Sequence, residues 1–185
     1  MRFTAVFHDP DGRITSVQRN ATANVIGGRS YVEADFDGDP DDFYVSGGEV
    51  ISKGEKPSSA HVFDYSSASW TVDLSEAKDQ AWEKIKQDRE DQEYGTFTWN
   101  SHTFQCDQLS QSRIMSAVQS AQIDSALTMV WTLSDNTTVS LNATELKQVG
   151  QALSAHIDAC HTKARALRSQ IDAATTEVDL NAITW

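Results

Sequence analysis

The longest regular pattern of apolar positions lies toward the end of the chain. Leu146, Val149, Leu153, Ile157, Cys160, Ala164, Leu167 and Ile171 recur at intervals of 3, 4, 4, 3, 4, 3 and 4. That period places all eight on one side of a helix. The stripe is continuous for about as long as a coiled-coil seam requires, so it predicts a helix–helix or oligomer interface. The helix is expected to start at Ala143, because Asn142 and Glu145 have the spacing of a capping box. Thr175-Thr176 breaks the pattern, and the tail 177–185 reads as a short helical turn ending in an apolar anchor.

Upstream the pattern changes to alternation and turn residues. Phe3–Phe7, the turn Asp9-Pro10-Asp11-Gly12 and Arg13–Val17 read as a hairpin. Gly27-Gly28, Gly38-Asp39-Pro40 and Gly47-Gly48 punctuate short candidate strands at Ser30–Ala34, Phe43–Ser46 and Glu49–Lys53. After the linker-like Lys56–Ser59, His61–Tyr65 and Ser69–Val72 form another hairpin. A helix is predicted over 75–93, with Ser75 as N-cap, Gly95 near the C-cap and a narrow stripe of Ala81, Trp82 and Ile85.

A ribbon-then-helix unit then occurs twice. Thr96–Trp99 and Thr103–Cys106 flank a turn at Asn100-Ser101-His102, and a helix follows with Leu109, Ile114, Val118 and Ala121 on one side. Strands in MVWTLSDNTTVSLN, turning at Ser134-Asp135-Asn136, lead into the long helix. Phe97, Trp99, Phe104 and Trp131 are the expected core aromatics of these ribbons. A two-stranded ribbon is marginal alone in water, so each needs a helix or a second chain to cover its apolar face. The fold class is α+β: a small β-rich N-terminal region, helices alternating with hairpins, and one long amphipathic C-terminal helix. The expected segments are a β-rich docking region at 1–56, a linking hairpin at 57–74 and a helix/hairpin domain at 75–185.

Composition narrows the function classes. A formal charge of −12 repels phosphate backbones and anionic lipid, so neither nucleic acid nor a membrane surface is an expected partner. No run of about 18 apolar residues predicts a membrane span, and the N-terminus lacks the apolar core of a signal peptide. Cys106 and Cys160 lie far apart and read as reduced, buried thiols.

Candidate chemistry is sparse. In the acidic run Asp35–Asp42, counting from Asp35 puts Pro40 at the sixth position and Ser46 at the twelfth. A calcium loop needs glycine and glutamate there, so a solvated loop is the expectation. His156 and His161 are five residues apart, on different sides of a helix, and poor co-ligands. No GxSxG, HExxH or phosphate-binding glycine loop occurs. Trp70, Trp82, Trp99, Trp131 and Trp185 fall where core aromatics fall, not where a sugar platform would. No enzyme, metal or cofactor is expected.

The order of features in the second half is more specific than any one of them. It runs from Phe97-Thr98-Trp99 through Ser112-Arg113-Ile114, Val130-Trp131-Thr132-Leu133 and Thr138–Ala143. It continues through the helix Leu146–His161, with Ala-His-Ile-Asp-Ala-Cys at 155–160, to Arg165-Ala166-Leu167, Ile171–Ala174 and Leu180–Trp185. From about Asp91 to Trp185 the chain resembles a domain-of-unknown-function family found in the C-terminal part of tailed-bacteriophage tail and tail-fibre proteins. The segment His61–Trp70 also looks like the module that precedes such domains. The resemblance implies a virion tail, baseplate or fibre component, made in the host bacterial cytoplasm, with no catalytic residues.

The expected function is therefore structural. The chain would assemble with other tail, baseplate or fibre proteins and with copies of itself. Fibres favour a trimer, although the mixture of Leu, Val, Ile, Cys and Ala in the stripe selects no order. A tail-fibre assembly chaperone absent from the mature particle is one alternative, and a host-receptor-binding tail protein is another.

Overall fold

A computed structural model describes residues 3–22 and 29–185. The expected turn at Gly27-Gly28 lies outside them. The protein is mixed α+β, with small antiparallel sheets and a long helix near its C-terminus. It divides into two compact units, 1–76 and 77–185.

In the first unit, β1 (Phe3–His8) is the centre of a three-stranded sheet between β2 (Ile14–Ala21) and β3 (Tyr31–Glu33), antiparallel to both. Successive side chains of a strand face opposite ways, and β1 is apolar on both sides. Ala5 and Phe7 pack with Ala21, Phe3 and Tyr31, while Val6 packs with Ile14, Phe36 and Val45. The β1–β2 turn closes through Gly12 N–H to Asp9 O, 2.9 Å. Gly12 sits at φ +94°, and a Cβ there would lie 2.2 Å from Val45 O. That close approach lets Val45 N–H donate to Gly12 O at 2.8 Å, which fixes the ribbon β4 (Phe43–Ser46)–β5 (Glu49–Ser52) to the turn.

The expected linking hairpin, β6 (His61–Asp64) and β7 (Ser69–Val72), packs into this same unit. Phe63 touches the rings of Tyr44, Tyr65 and Trp70 at 5.1–5.3 Å, and Trp70 Nε1–H donates to Lys53 O. The acidic loop spends its side chains locally. Asp37 pairs with Arg19, Asp39 caps a single 3₁₀ turn at Pro40–Asp42, and Phe36 is buried.

The helix α1 (Leu74–Glu93) starts one residue earlier than expected. Asp73, not Ser75, is the cap: its Oδ1 accepts from the N–H groups of Ser75 and Glu76 at 3.0 and 3.2 Å. A cap must stand before the first helical residue, and Ser75 is already inside. Gly95 does not end α1 through a left-handed conformation. Its value is lack of bulk, since a Cβ there would lie 2.9 Å from Asp91 O.

Ribbon β8 (Thr96–Trp99)–β9 (His102–Gln105) follows. Asn100 and Ser101 both have positive φ, 47° and 66°, and Trp99 pairs with His102. This is a two-residue turn, which matches the twist of the strands. His102 therefore belongs to the return strand and not to the turn. Asp107 caps α2 (Gln108–Ile123). Its buried side is Ser110, Ile114, Ala117 and Ala121, with Val118 partly buried, and Leu109 points to solvent. Leu109 is one position, about 100°, off that line. Ser110 can be buried because its hydroxyl donates to Asp107 Oδ2.

Ribbon β10 (Thr128–Thr132)–β11 (Thr138–Asn142) leads without a loop into α3 (Ala143–Ala173). Both halves of the Asn142/Glu145 capping box are formed. Thr176 caps the short α4 (Glu177–Asn181), which buries Leu180. Among the described residues no helix is long and apolar enough to cross a membrane.

Candidate interaction surface

The structure places the predicted stripe inside the chain's own second unit. Leu146, Val149 and Leu153 are buried in one core with Phe97, Phe104, Ile114 and Leu141, and Ile157 packs on its edge. This half of α3 lies against α2 closely enough that a Cβ on Gly150 would lie 2.5 Å from a methyl of Val118. Cys160, Ala164, Leu167 and Ile171 are also buried. The stripe, read as a helix-packing or oligomer interface, is thus covered within the chain by its own residues.

Helix α1 runs antiparallel to the later half of α3. Lys78 Nζ donates to Asp172 O at 2.8 Å, and the Arg168 guanidinium lies 5.2 Å over the Trp82 ring. At the other end His156 Nε2 meets Gln92 O at 3.0 Å, and His161 Nε2 lies 3.3 Å from Glu93 Oε2. A carbonyl only accepts, so His156 carries its proton on Nε2. The two histidines read as facing different ways both reach the last turn of α1. Glu93 is buried there, with Arg89 Nε 3.6 Å away. Burial pushes the Cys106 and Cys160 thiols above their ordinary range, and the Glu93 carboxylate adds to the shift at both. Such thiols are poor nucleophiles. Among the described residues no group of three His, Cys, Asp or Glu side chains is placed to hold a metal ion.

The four aromatics gather where the two ribbons meet. Phe97 and Phe104 stack at 5.3 Å, and Phe104 touches Trp99 at 6.5 Å and Trp131 at 6.4 Å. Phe97 and Phe104 are buried, while Trp99 and Trp131 are only partly so.

Beside this cluster lies a feature the sequence did not announce. One backbone bond joins the ribbons at one end, from Ser134 N–H to Thr103 O at 3.0 Å. Among the described residues each ribbon has only two strands, so beyond that bond β9 and β10 pair with no further strand. Between the end of β9, strand β10 and helix α2 there is a cleft of about 400 Å³. Four consecutive β10 residues, Met129–Thr132, line it. Met129 and Trp131 turn to the core while Val130 is 69% exposed. A cavity touching both sets touches the strand's edge. From α2 the cleft receives Arg113, Ser116 and Ser120, which share one face. The only sequence trace of this is the spacing of serines around Arg113.

The second unit is a small α+β domain in which two ribbons and α2 pack on α3, with α1 along the later half of α3. Residues 76–184 match the family model described as Domain of unknown function (DUF4376), and the chain belongs to that family. The match begins at the boundary between the two units. No curated protein and no solved structure matches the chain.

Proposed function

We propose that the chain is a structural component of a bacteriophage tail, in the baseplate or associated with a tail fibre, acting through protein–protein assembly without catalysis. The observation that carries this reading is how the second unit uses its apolar residues. Its own helices fill the core, while among the described residues β10 keeps an edge paired with no further strand, beside exposed Val130. Unpaired edges are templates for another chain and are normally blunted where no partner exists. The tail assignment itself is supported by the ordered resemblance from Asp91 to Trp185. Self-association, in a trimer or another order, would use such edges, since the α3 stripe is filled.

Quantitative mass spectrometry on purified particles of the encoding phage tests this. The expected result is the chain at fixed stoichiometry with the tail proteins, in a multiple of three or six for a fibre or baseplate position. Its presence in infected-cell lysate but not in particles would overturn the virion role and leave the assembly chaperone.

A further inference from the structure

We infer that the cleft between β9, β10 and α2 takes an extended, carboxylate-bearing segment of a partner polypeptide, which adds as a strand to the free edge of β10. This builds on the assembly reading only in taking the partner to be a protein.

Three features select that occupant. The first is the edge itself, whose unpaired N–H and C=O groups offer main-chain hydrogen bonds of the kind strand addition uses. The second is charge. In a chain of net charge −12, Arg113 makes no ion pair among the described residues. The other arginines of unit 2 are all paired: Arg89 with Glu90 and Glu93, Arg165 with Asp158, Arg168 with Asp172. A guanidinium offers a fork of donors that matches a carboxylate. The third is the sequence of surfaces along α2. Leu109, Arg113, Ser116, Ser120 and Ile123 are spaced 4, 3, 4 and 3 and so share one face. Leu109 and Ile123, 57% and 88% exposed, stand at its two ends. The part of that face lining the cleft, Arg113, Ser116 and Ser120, is cationic and polar, and its complement is an extended segment that turns an acidic residue toward α2. A cavity of this size lies within the ordinary range of ligand sites, about 300–1,000 Å³.

The test uses the full chain, isotope-labelled, titrated with the blocked peptide acetyl-KTVDVTK-amide and followed by amide NMR. Amide shifts over 128–132 and at Arg113 are expected. Replacing the peptide Asp by Asn, or Arg113→Gln in the protein, should weaken binding about tenfold, the scale of one charged hydrogen bond. Arg113 is exposed, so the variant's spectrum outside the cleft should be unchanged. Methylating the peptide's alternate backbone nitrogens should abolish binding for one alternate set and spare the other, because a strand pairs through every second residue. No shifts, equal affinity for the Asn peptide, or equal loss from both methylated sets would overturn the proposal. So would sodium acetate shifting Arg113 while the peptide fails to compete, which would make this a small-anion site only. Absence from phage particles would refute the tail role and leave this titration intact, whereas a silent titration would leave the particle stoichiometry intact.

Discussion

The two units bury their apolar residues by different means. In the first, strand β1 does it from both faces at once, Ala5 and Phe7 on one and Val6 on the other, so the unit holds two small clusters with a sheet between them. In the second, a single helix carries the core along its length, and ribbons and helices are laid against it. A strand spreads its apolar groups over two surfaces every two residues. A helix concentrates them on one line, so a change at one point of α3 is felt by α2 and both ribbons together.

The sharpest break of this comparison is Leu153→Asp. It puts an unpaired charge into the shared core, where Leu153 is 2% exposed, and a loss above about 4 kcal/mol is expected. Methyl NMR should show Ile114, Leu141 and Val149 losing their native signals while Val6 and Val45 keep theirs. Loss of both sets would mean that the units do not unfold separately. Survival of both, with a changed sedimentation mass, would return the stripe to the role of an oligomer seam.

Phe63→Ala is the counterpart in the first unit. Phe63 touches three other aromatic rings, and its removal should cost about 3–5 kcal/mol. Denaturant unfolding followed by Trp70 fluorescence in a variant lacking the other tryptophans would show it, and the second unit's amide spectrum should not move.

The smallest expected effect is at the ribbon–helix joint. Hydrogen bonds from Ser110 and Leu109 hold the Asp107 carboxyl below its ordinary value. Because the folded value is depressed, the cap's contribution is complete above about pH 4, near the unfolded value, and is lost as pH falls through the folded one. Asp107→Asn keeps a capping oxygen but does not titrate. Its urea midpoint should fall less between neutral and acid pH than that of the wild type, and an equally steep fall would remove Asp107 from the acid response.

Much of this architecture could be read before folding was considered, wherever the signal is local. Asp9–Gly12 and Ser134–Asn136 specify their turns through residues that are neighbours in sequence. Asn142 and Glu145 specify where α3 begins. The stripe from Leu146 to Ile171 specified a buried line but not its cover, because α1, α2 and another chain satisfy the same periodicity equally. Leu109 was misplaced for a related reason: the buried position went to Ser110, whose hydroxyl is satisfied only because Asp107 stands beside it. The cleft was harder to see, since it is made where Gln105, β10 and α2 come together from three separate stretches of the chain.

Asn142 ends β11, pairs with Thr128 at the start of β10, and caps α3. It thereby forms a mechanical joint without slack. The five-pair ladder of β10 and β11 is thereby coupled to a helix about 46 Å long with no loop between them. A shift of Asn142 therefore moves the end of the ladder and the first turn of α3 together, as a hinge without play would.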